Sequence, residues 1–395
     1  MTTADGSETS FRAKVSSFLA REVAPDWRDE MASDPIESQR DWVSAVRAAG
    51  LGPPHWPVEV GGPGFSMAEQ IVLYEEFALA DAPPYPGLFN FGFTHAFGTL
   101  MQFGTTQQRE EHLPRILDAS RIWCQAFSEP GAGSDLAGLR TEAKRIGDRY
   151  VVNGQKTWAS GAADADWALL LARTDPAAPK RKGISYFLVD LRSPGIEVRP
   201  IRQMTGDAEF AEIFFTDVEV PIANLVGEEH DGWRVANSTL AVERGPQAVP
   251  PALRLRRACE SLAPLVAEHI RGGDVEDSAV AQRFAQLHAE SEVLVQLVLR
   301  TLESTMSTGE SGPGSSIIKI FVSELMQRLT GFAVELQGLE GQLEAEGPVW
   351  ELPSGHWLTD HTRSWMWTIS AGANEIQRNI VAERVLLLPR EPQVG

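Results

Sequence analysis

Residues 124–141 read CQAFSEPGAGSDLAGLRT. A short β-like run, Ile122 to Ser128, leads through Ser128-Glu129-Pro130 into Gly131-Ala132-Gly133-Ser134-Asp135. Small residues at the end of a strand let backbone N–H groups come close to a ligand. For a bare GxG fragment, the competing reading is an ordinary tight turn.

Outward from this stretch, residues up to about Phe215 form short β-like runs: Tyr150 to Val152, Gln155 to Ser160, Trp167 to Ala172, Ile184 to Val189, and Ile213 to Thr216. Asn153-Gly154 between two of these runs predicts a two-residue hairpin turn. A small β-barrel or sandwich is expected here. No GxGxxG opens a βαβ unit, which argues against a nicotinamide-binding Rossmann domain.

The flanks read as helical. Phe11, Val15, Phe18 and Leu19 follow helical spacing up to Pro25, and Trp42, Val43 and Val46 repeat it up to Gly50. Ser66 with Glu69 and Thr105 with Gln108 have the form of capping boxes. After Asp231, helices are expected over Gly232 to Arg244, Ala252 to Ile270, Ser278 to Met306, Ser316 to Leu339 and Trp357 to Ile369, with a last one ending near Leu388. The fold class is α+β: a helical domain over 1–121, a β-domain over 122–230, and a helical bundle over 231–395.

With 395 residues, 43% of them apolar, the chain can bury a large core. A formal charge of −19 argues against nucleic acid as a partner, because phosphate binding needs clustered cations. Cys124 and Cys259, the two cysteines, fit no metal spacing and suggest a reducing compartment. No apolar window is long enough for a membrane span, and MTTADGSETS carries no basic leader. A cytoplasmic protein is expected.

CQAFSEPGAGSDLAGLRT closely resembles the flavin-binding signature of the acyl-CoA dehydrogenases. The resemblance continues in VNGQKTWAS (152–160), in QMTGDAEFAEIFFTDVEVP (203–221), and in the closing ISAGANEIQRNIVAERVLLLPR (369–390). It covers essentially the whole chain and implies FAD as cofactor, an acyl-CoA substrate and an electron-transferring flavoprotein as acceptor. It places Gln125, Phe127, Ser128, Gly133, Ser134, Trp158, Ser160, Gly372, Asn374 and Glu375 at the flavin. Ser134, Arg244 and Ala371 fall on the substrate side.

Two departures from the family pattern matter. Many members carry the catalytic Glu immediately before the Gly of the closing signature, where this chain has Ala371, which cannot take a proton. DGWRVANSTLAVERG supplies Glu243 instead: Trp233, Ala236, Leu240 and Glu243 share one helical face, and some branches of the family hold their base at this LxxER position. The resemblance then implies that Glu243 removes the α-proton of the thioester while the β-hydrogen passes as hydride to the flavin, giving the trans-2-enoyl-CoA.

The second departure is the missing RxxFG motif. Nothing between Arg254 and Gln286 matches it, and QGLEGQ (337–342) resembles the adenosine contact only loosely. Homo-oligomers, dimeric or tetrameric, and a heterotetramer with a second acyl-CoA dehydrogenase-like subunit both stay open. So do an O2-using acyl-CoA oxidase or flavin monooxygenase of the same fold, and a non-catalytic subunit of a heteromer.

Overall fold

The computed structural model describes residues 6–241, 245–270, 275–308, 312, 314–342 and 356–390. Glu243 and Arg244 lie outside the described residues. The chain divides into two compact units, one of residues 34–64 and 85–243, the other of 1–33, 65–84 and 244–395.

The first unit holds the strands β1 (Trp123–Ala126), β2 (Glu142–Ile146), β3 (Arg149–Ser160), β4 (Trp167–Arg173), β5 (Ile184–Asp190), β6 (Ile196–Ile201), β7 (Phe210–Pro221) and β8 (Leu225–Val226). They join in the order β6-β7-β3-β2-β4-β5-β8, with β1 parallel to β4. The sheet curls on itself: the Tyr150 and Phe187 rings, on β3 and β5, lie 4.8 Å apart. A flat sheet would hold strands three places apart roughly 14 Å from each other.

Period-two alternation gives this sheet two apolar faces. Cys124, Ala126, Leu170, Ala172, Phe187 and Val189 enter the core inside the curl. Their neighbours Trp123, Phe127, Leu169, Leu171, Tyr186 and Leu188 enter a second core with helical segments. Those segments include the π-helical turn Phe91–Ala96 and the helices Phe97–Phe103 and Gly232–Ala241. Strand β4 is buried along nearly its whole length for this reason.

The expected hairpin at Asn153-Gly154 is not formed. Both residues lie inside the continuous β3, at a bulge where its pairing to β7 shifts between Val152 and Gly154. Asn153 is there to bridge the bulge, its amide donating to Asp217 Oδ1 and accepting from Asp217 N–H. Gly154 has φ +152°, and a Cβ on it would lie 2.5 Å from Thr141 Oγ1, so the glycine permits close strand approach. The turn itself falls at Gly147-Asp148, between β2 and β3.

In the second unit, helices Gly6–Glu22 and Met67–Leu79 accompany Val249–Ser261, Ala263–His269, Val275–Thr308, Gly314–Gln337, Trp357–Trp367 and Asn374–Arg384. Leu255, Cys259, Leu294, Val298, Leu325, Leu329 and Phe332 share their core. Both cysteines of the chain are buried and free. The helix expected over Ala252 to Ile270 is two helices meeting at Leu262, because Pro264 cannot donate the N–H that a continuous helix needs. The capping boxes at Ser66–Glu69 and Thr105–Gln108 are both formed. Among the described residues, no helix is long and apolar enough to cross a membrane.

Candidate active site

Strand β1 delivers the chain into a tight turn in which Glu129 and Ala132 exchange both backbone hydrogen bonds, at 3.1 and 3.0 Å. Glu129 is the fixed point of this turn. Its carboxylate is buried, accepting from Arg140 N–H at 2.7 Å, Thr141 N–H at 2.8 Å and Lys156 Nζ at 2.8 Å. The fully buried Lys156 also donates to the Phe127 carbonyl at 3.0 Å. One ion pair thus ties the 127–132 turn to β3.

Burial alone would raise the Glu129 carboxyl, but the Lys156 charge and the three donors outweigh it and hold the group below its ordinary range. Burial pushes the Lys156 ammonium down to about 8, against the opposing pull of Glu129. At neutral pH both stay charged. Neither residue was singled out from sequence. They are 27 positions apart, and only the strand pairing brings them together.

The same pairing sets Trp158. Thr157 N–H donates to the Ser128 carbonyl at 2.9 Å, and a second β3–β7 register shift follows between Lys156 and Ala159. Inside it Trp158 has φ +59°. A bulky residue in that region is strained, of order 1–3 kcal/mol, and such strain persists where surrounding structure enforces it. The indole is 59% exposed and touches Phe210 edge-on at 5.9 Å. An aromatic held in strain and left open to solvent serves a ligand better than a core. Ser160, half-buried, pairs with Phe210 at the end of the strand.

The turn fits a flat polar cofactor. Gln125 lies between Trp123 and Phe127 on the apolar face of β1, and its buried Nε2 finds no partner among the described residues. Such an orphaned donor costs about 1–3 kcal/mol unless a ligand accepts from it. Phe127 is packed edge-on against Tyr186, so it fixes the turn from below. Gly131 and Gly133 face open space, with nothing within 4 Å of where a Cβ would be, and Ser134 is exposed beside them.

Helix Gly232–Ala241 packs on the same core. Val235, Ala236 and Thr239 are buried, and Trp233 and Leu240 lie against them, as the spacing of this segment predicts. Thr239 Oγ1 meets Thr99 Oγ1 at 2.7 Å and Tyr186 Oη at 3.4 Å, a polar pin inside an apolar face. The sequence reading missed it, though a threonine on a buried helical stripe was the available signal.

The closing signature lies in the other unit. Ala371 and Gly372 both have positive φ, +50° and +84°. Gln377, one turn into the last helix, holds this bend by donating from Nε2 to the Ala371 and Gly372 carbonyls at 3.2 and 3.3 Å. The Asn374 side chain is committed within the unit: Oδ1 accepts from Lys319 Nζ at 2.7 Å, and Nδ2 donates to Ser323 Oγ at 3.0 Å and Glu324 Oε1 at 3.1 Å. Burial, partly offset by Glu375 and Glu324, pushes Lys319 down to about 8. Glu375 itself is exposed.

Comparison with known proteins agrees along the whole chain. Profiles of the acyl-CoA dehydrogenase N-terminal, middle and C-terminal domains match residues 6–120, 124–218 and 230–386. The acyl-CoA dehydrogenase IpdE1 of Mycolicibacterium smegmatis is 37% identical, over 96% of this chain and 98% of its own. Among solved structures, the ChsE4-ChsE5 complex from Mycobacterium tuberculosis contains a chain that superposes with a TM-score of 0.80 at 30% identity, over 99% of this chain and 100% of that one. The Tcur3481-Tcur3483 steroid ACAD contains one with a TM-score of 0.83 at 29% identity, over 98% and 99%. The chain belongs to the acyl-CoA dehydrogenase family, flavoproteins that bind FAD and act as oxidoreductases on the CH–CH bond of acyl-CoA.

Proposed function

We propose that this protein carries out FAD-dependent α,β-dehydrogenation of an acyl-CoA thioester to the trans-2-enoyl-CoA, with Glu243 as the base. The observation that carries this reading is the pinned 127–134 turn beside the strained, open Trp158. Gln125, Phe127, Ser128, Gly133, Ser134, Trp158, Ser160, Gly372, Asn374 and Glu375 would hold the flavin. Asn374 fixes the start of the last helix. When bound, FAD supplies the acceptor for the β-hydrogen.

Glu243 takes the α-proton. The buried face of Val235, Ala236 and Thr239 supports this, since position 243 continues it by spacing. The Ala371 N–H, which makes no hydrogen bond among the described residues, donates to the thioester oxygen as charge builds there. Arg244 and Ser134 line the substrate side. Residues 1–121, 122–230 and 231–395 act as the helical, β and bundle parts of a cytoplasmic enzyme that passes its electrons to an electron-transferring flavoprotein.

The likeness to the steroid ACAD favours a bulky, polycyclic acyl group and a heterotetramer with a second dehydrogenase-like subunit over a homo-oligomer. Anaerobic titration of the FAD-loaded protein with acyl-CoAs, beside Glu243→Gln, tests the reading. Bleaching of the visible flavin band in the parent and none in the variant supports it. Equal bleaching removes Glu243, and turnover that requires oxygen makes the protein an oxidase.

A further inference from the structure

Among the described residues, Lys156 is the only lysine or arginine that is buried, and it is buried completely. An ion pair in such a place is a weak source of stability, because well-packed apolar side chains of similar volume often do as well or better. Two of the three ammonium donors are spent within the turn, on Glu129 Oε1 at 2.8 Å and on the Phe127 carbonyl at 3.0 Å. The second of these bonds reaches beyond the pair.

The Phe127 carbonyl belongs to the Phe127–Ser128 peptide. An ammonium on a peptide oxygen draws electron density toward it, deepens the C–N double-bond character and leaves the N–H at the far end more positive. That N–H is the one of Ser128, which makes no hydrogen bond among the described residues. Ser128 is half-buried and fixed on its other side: its carbonyl accepts from Thr157 N–H at 2.9 Å, and the next N–H, of Glu129, donates to the Ala132 carbonyl at 3.1 Å. Thr157 in turn precedes the strained, open Trp158. A backbone donor is thus held rigid, left without a partner and loaded from behind by a buried positive charge.

We propose that Lys156, acting through the Phe127–Ser128 peptide, makes the Ser128 N–H a charge-assisted donor to the carbonyl-bearing side of the flavin ring, and so favours the electron-rich reduced ring over the oxidised one. This rests on the dehydrogenation reading, which puts Ser128 at the flavin. Hydrogen bonds to the ring and charge near it are the means by which a protein tunes a flavin. Lys156 is then a positioning residue: its effect is carried by the backbone. Glu129 keeps the net charge beneath the turn at zero, so the bias falls on this amide and not on the whole site.

The reduction potential of bound FAD at pH 7 and the infrared carbonyl stretches of bound FAD test it, in the parent and in Glu129→Gln with Lys156→Met. The double variant removes both charges together, so it loses the bond to the Phe127 carbonyl without leaving an unpaired ion. A charge-assisted bond is about twice as strong as a neutral one. For a bond of ordinary net strength, the variant should show about a fivefold smaller preference for reduced over oxidised FAD, a fall of about 20 mV for a two-electron couple. The carbonyl stretch that lies lowest in the parent should move up. A pair that only holds the turn together would leave both readings in place, so an unchanged potential or unchanged stretches with FAD fully bound overturns the proposal. Where the variant loses FAD, the parent decides alone: a flavin carbonyl stretch below its value for free FAD in water supports the proposal, and none below that value overturns it. Flavin retention indifferent to Trp158→Gly would put the ring away from this turn and overturn the reading beneath the proposal, a result distinct from an unshifted potential.

Discussion

Glu129→Gln should destabilise the protein far more than a surface substitution, because it leaves a wholly buried ammonium without its counter-charge. After the change, Lys156 would keep only the Phe127 carbonyl and a neutral amide. Breaking a buried pair from one side costs about 3–5 kcal/mol. Lys156 can escape part of this by losing its proton, since burial already pushes it to about 8, so the lower end, about 3 kcal/mol, is expected. For a unit of this size each kcal/mol moves the midpoint by about 2–4 °C, which gives a loss of roughly 6–12 °C by scanning calorimetry. The double change Glu129→Gln with Lys156→Met should recover most of it, because no unpaired charge remains. The sign with pH is fixed as well. The folded-state Glu129 carboxyl lies below its ordinary value of 4.5, so its stabilisation is complete above that pH and is lost as pH falls through the lower folded value. The Glu129 contribution to the gap should therefore be complete at pH 7 and disappear only as pH falls below 4.5, while the neutral Lys156 of the variant, obliged to take up a proton, makes the gap grow on the way down from pH 7. A midpoint within about 2 °C of the parent at pH 7, or a gap that stays unchanged through strong acid, would refute the pinning role.

Trp158→Gly should separate ligand binding from folding: relief of the φ +59° strain offsets the lost edge contact with Phe210, so the midpoint should hold within a few degrees while flavin retention on a desalting column falls sharply. Thr239→Val should cost about 1–2 kcal/mol in urea unfolding by removing the buried hydroxyl that meets Thr99 Oγ1 and Tyr186 Oη, with a smaller loss for Ser238→Ala, whose half-buried hydroxyl donates only to the exposed Gln102. Asn374→Ala should cost about 1–3 kcal/mol and speed amide exchange across 374–384, because Lys319 Nζ and Ser323 lose the group that joins them to the last helix. Exchange at the parent rate there would show that the amide is not what holds the helix.

The residues legible in sequence were those whose signal is local. Helix starts at Ser66 and Thr105 could be read because a capping box spans four residues, and the strands β4 and β5 because nearly every side chain in them is apolar. Strands β2 and β6 were not: β2 has only Ala143 buried, so no apolar face marks it, and β6 alternates over only four residues, Ile196 to Arg199, before Pro200 interrupts it. Asn153-Gly154 misled for a related reason. The pair carries the chemistry of a tight turn, but the choice between turn and bulge depends on what faces it, here Asp217 and Thr141. Of the site, Trp158 and the 124–141 turn could be found by resemblance, whereas Lys156, Glu129, Thr239 and Gln377 act through partners that only the fold supplies.

The distribution of these hidden partners carries its own argument. Trp158 in positive φ, the orphaned Gln125 amide and the Ala371–Gly372 bend are each unfavourable alone, and each lies at a position that resemblance assigns to cofactor or substrate. Beside each stands a buried group whose hydrogen bonds are satisfied: Lys156 with Glu129 under the turn, Gln377 under the bend. Strain at ligand-facing positions that is held by satisfied polar contacts behind them is what a preorganised site requires, because the cost of ordering is then met at folding and not at binding. On that reasoning the flavin-free protein should already hold the 127–134 turn in its final shape. Hydrogen exchange of the Arg140 and Thr141 amides, compared with and without FAD, should differ little in the parent and strongly in Glu129→Gln. Large protection on FAD binding in the parent would mean instead that the ligand builds the turn.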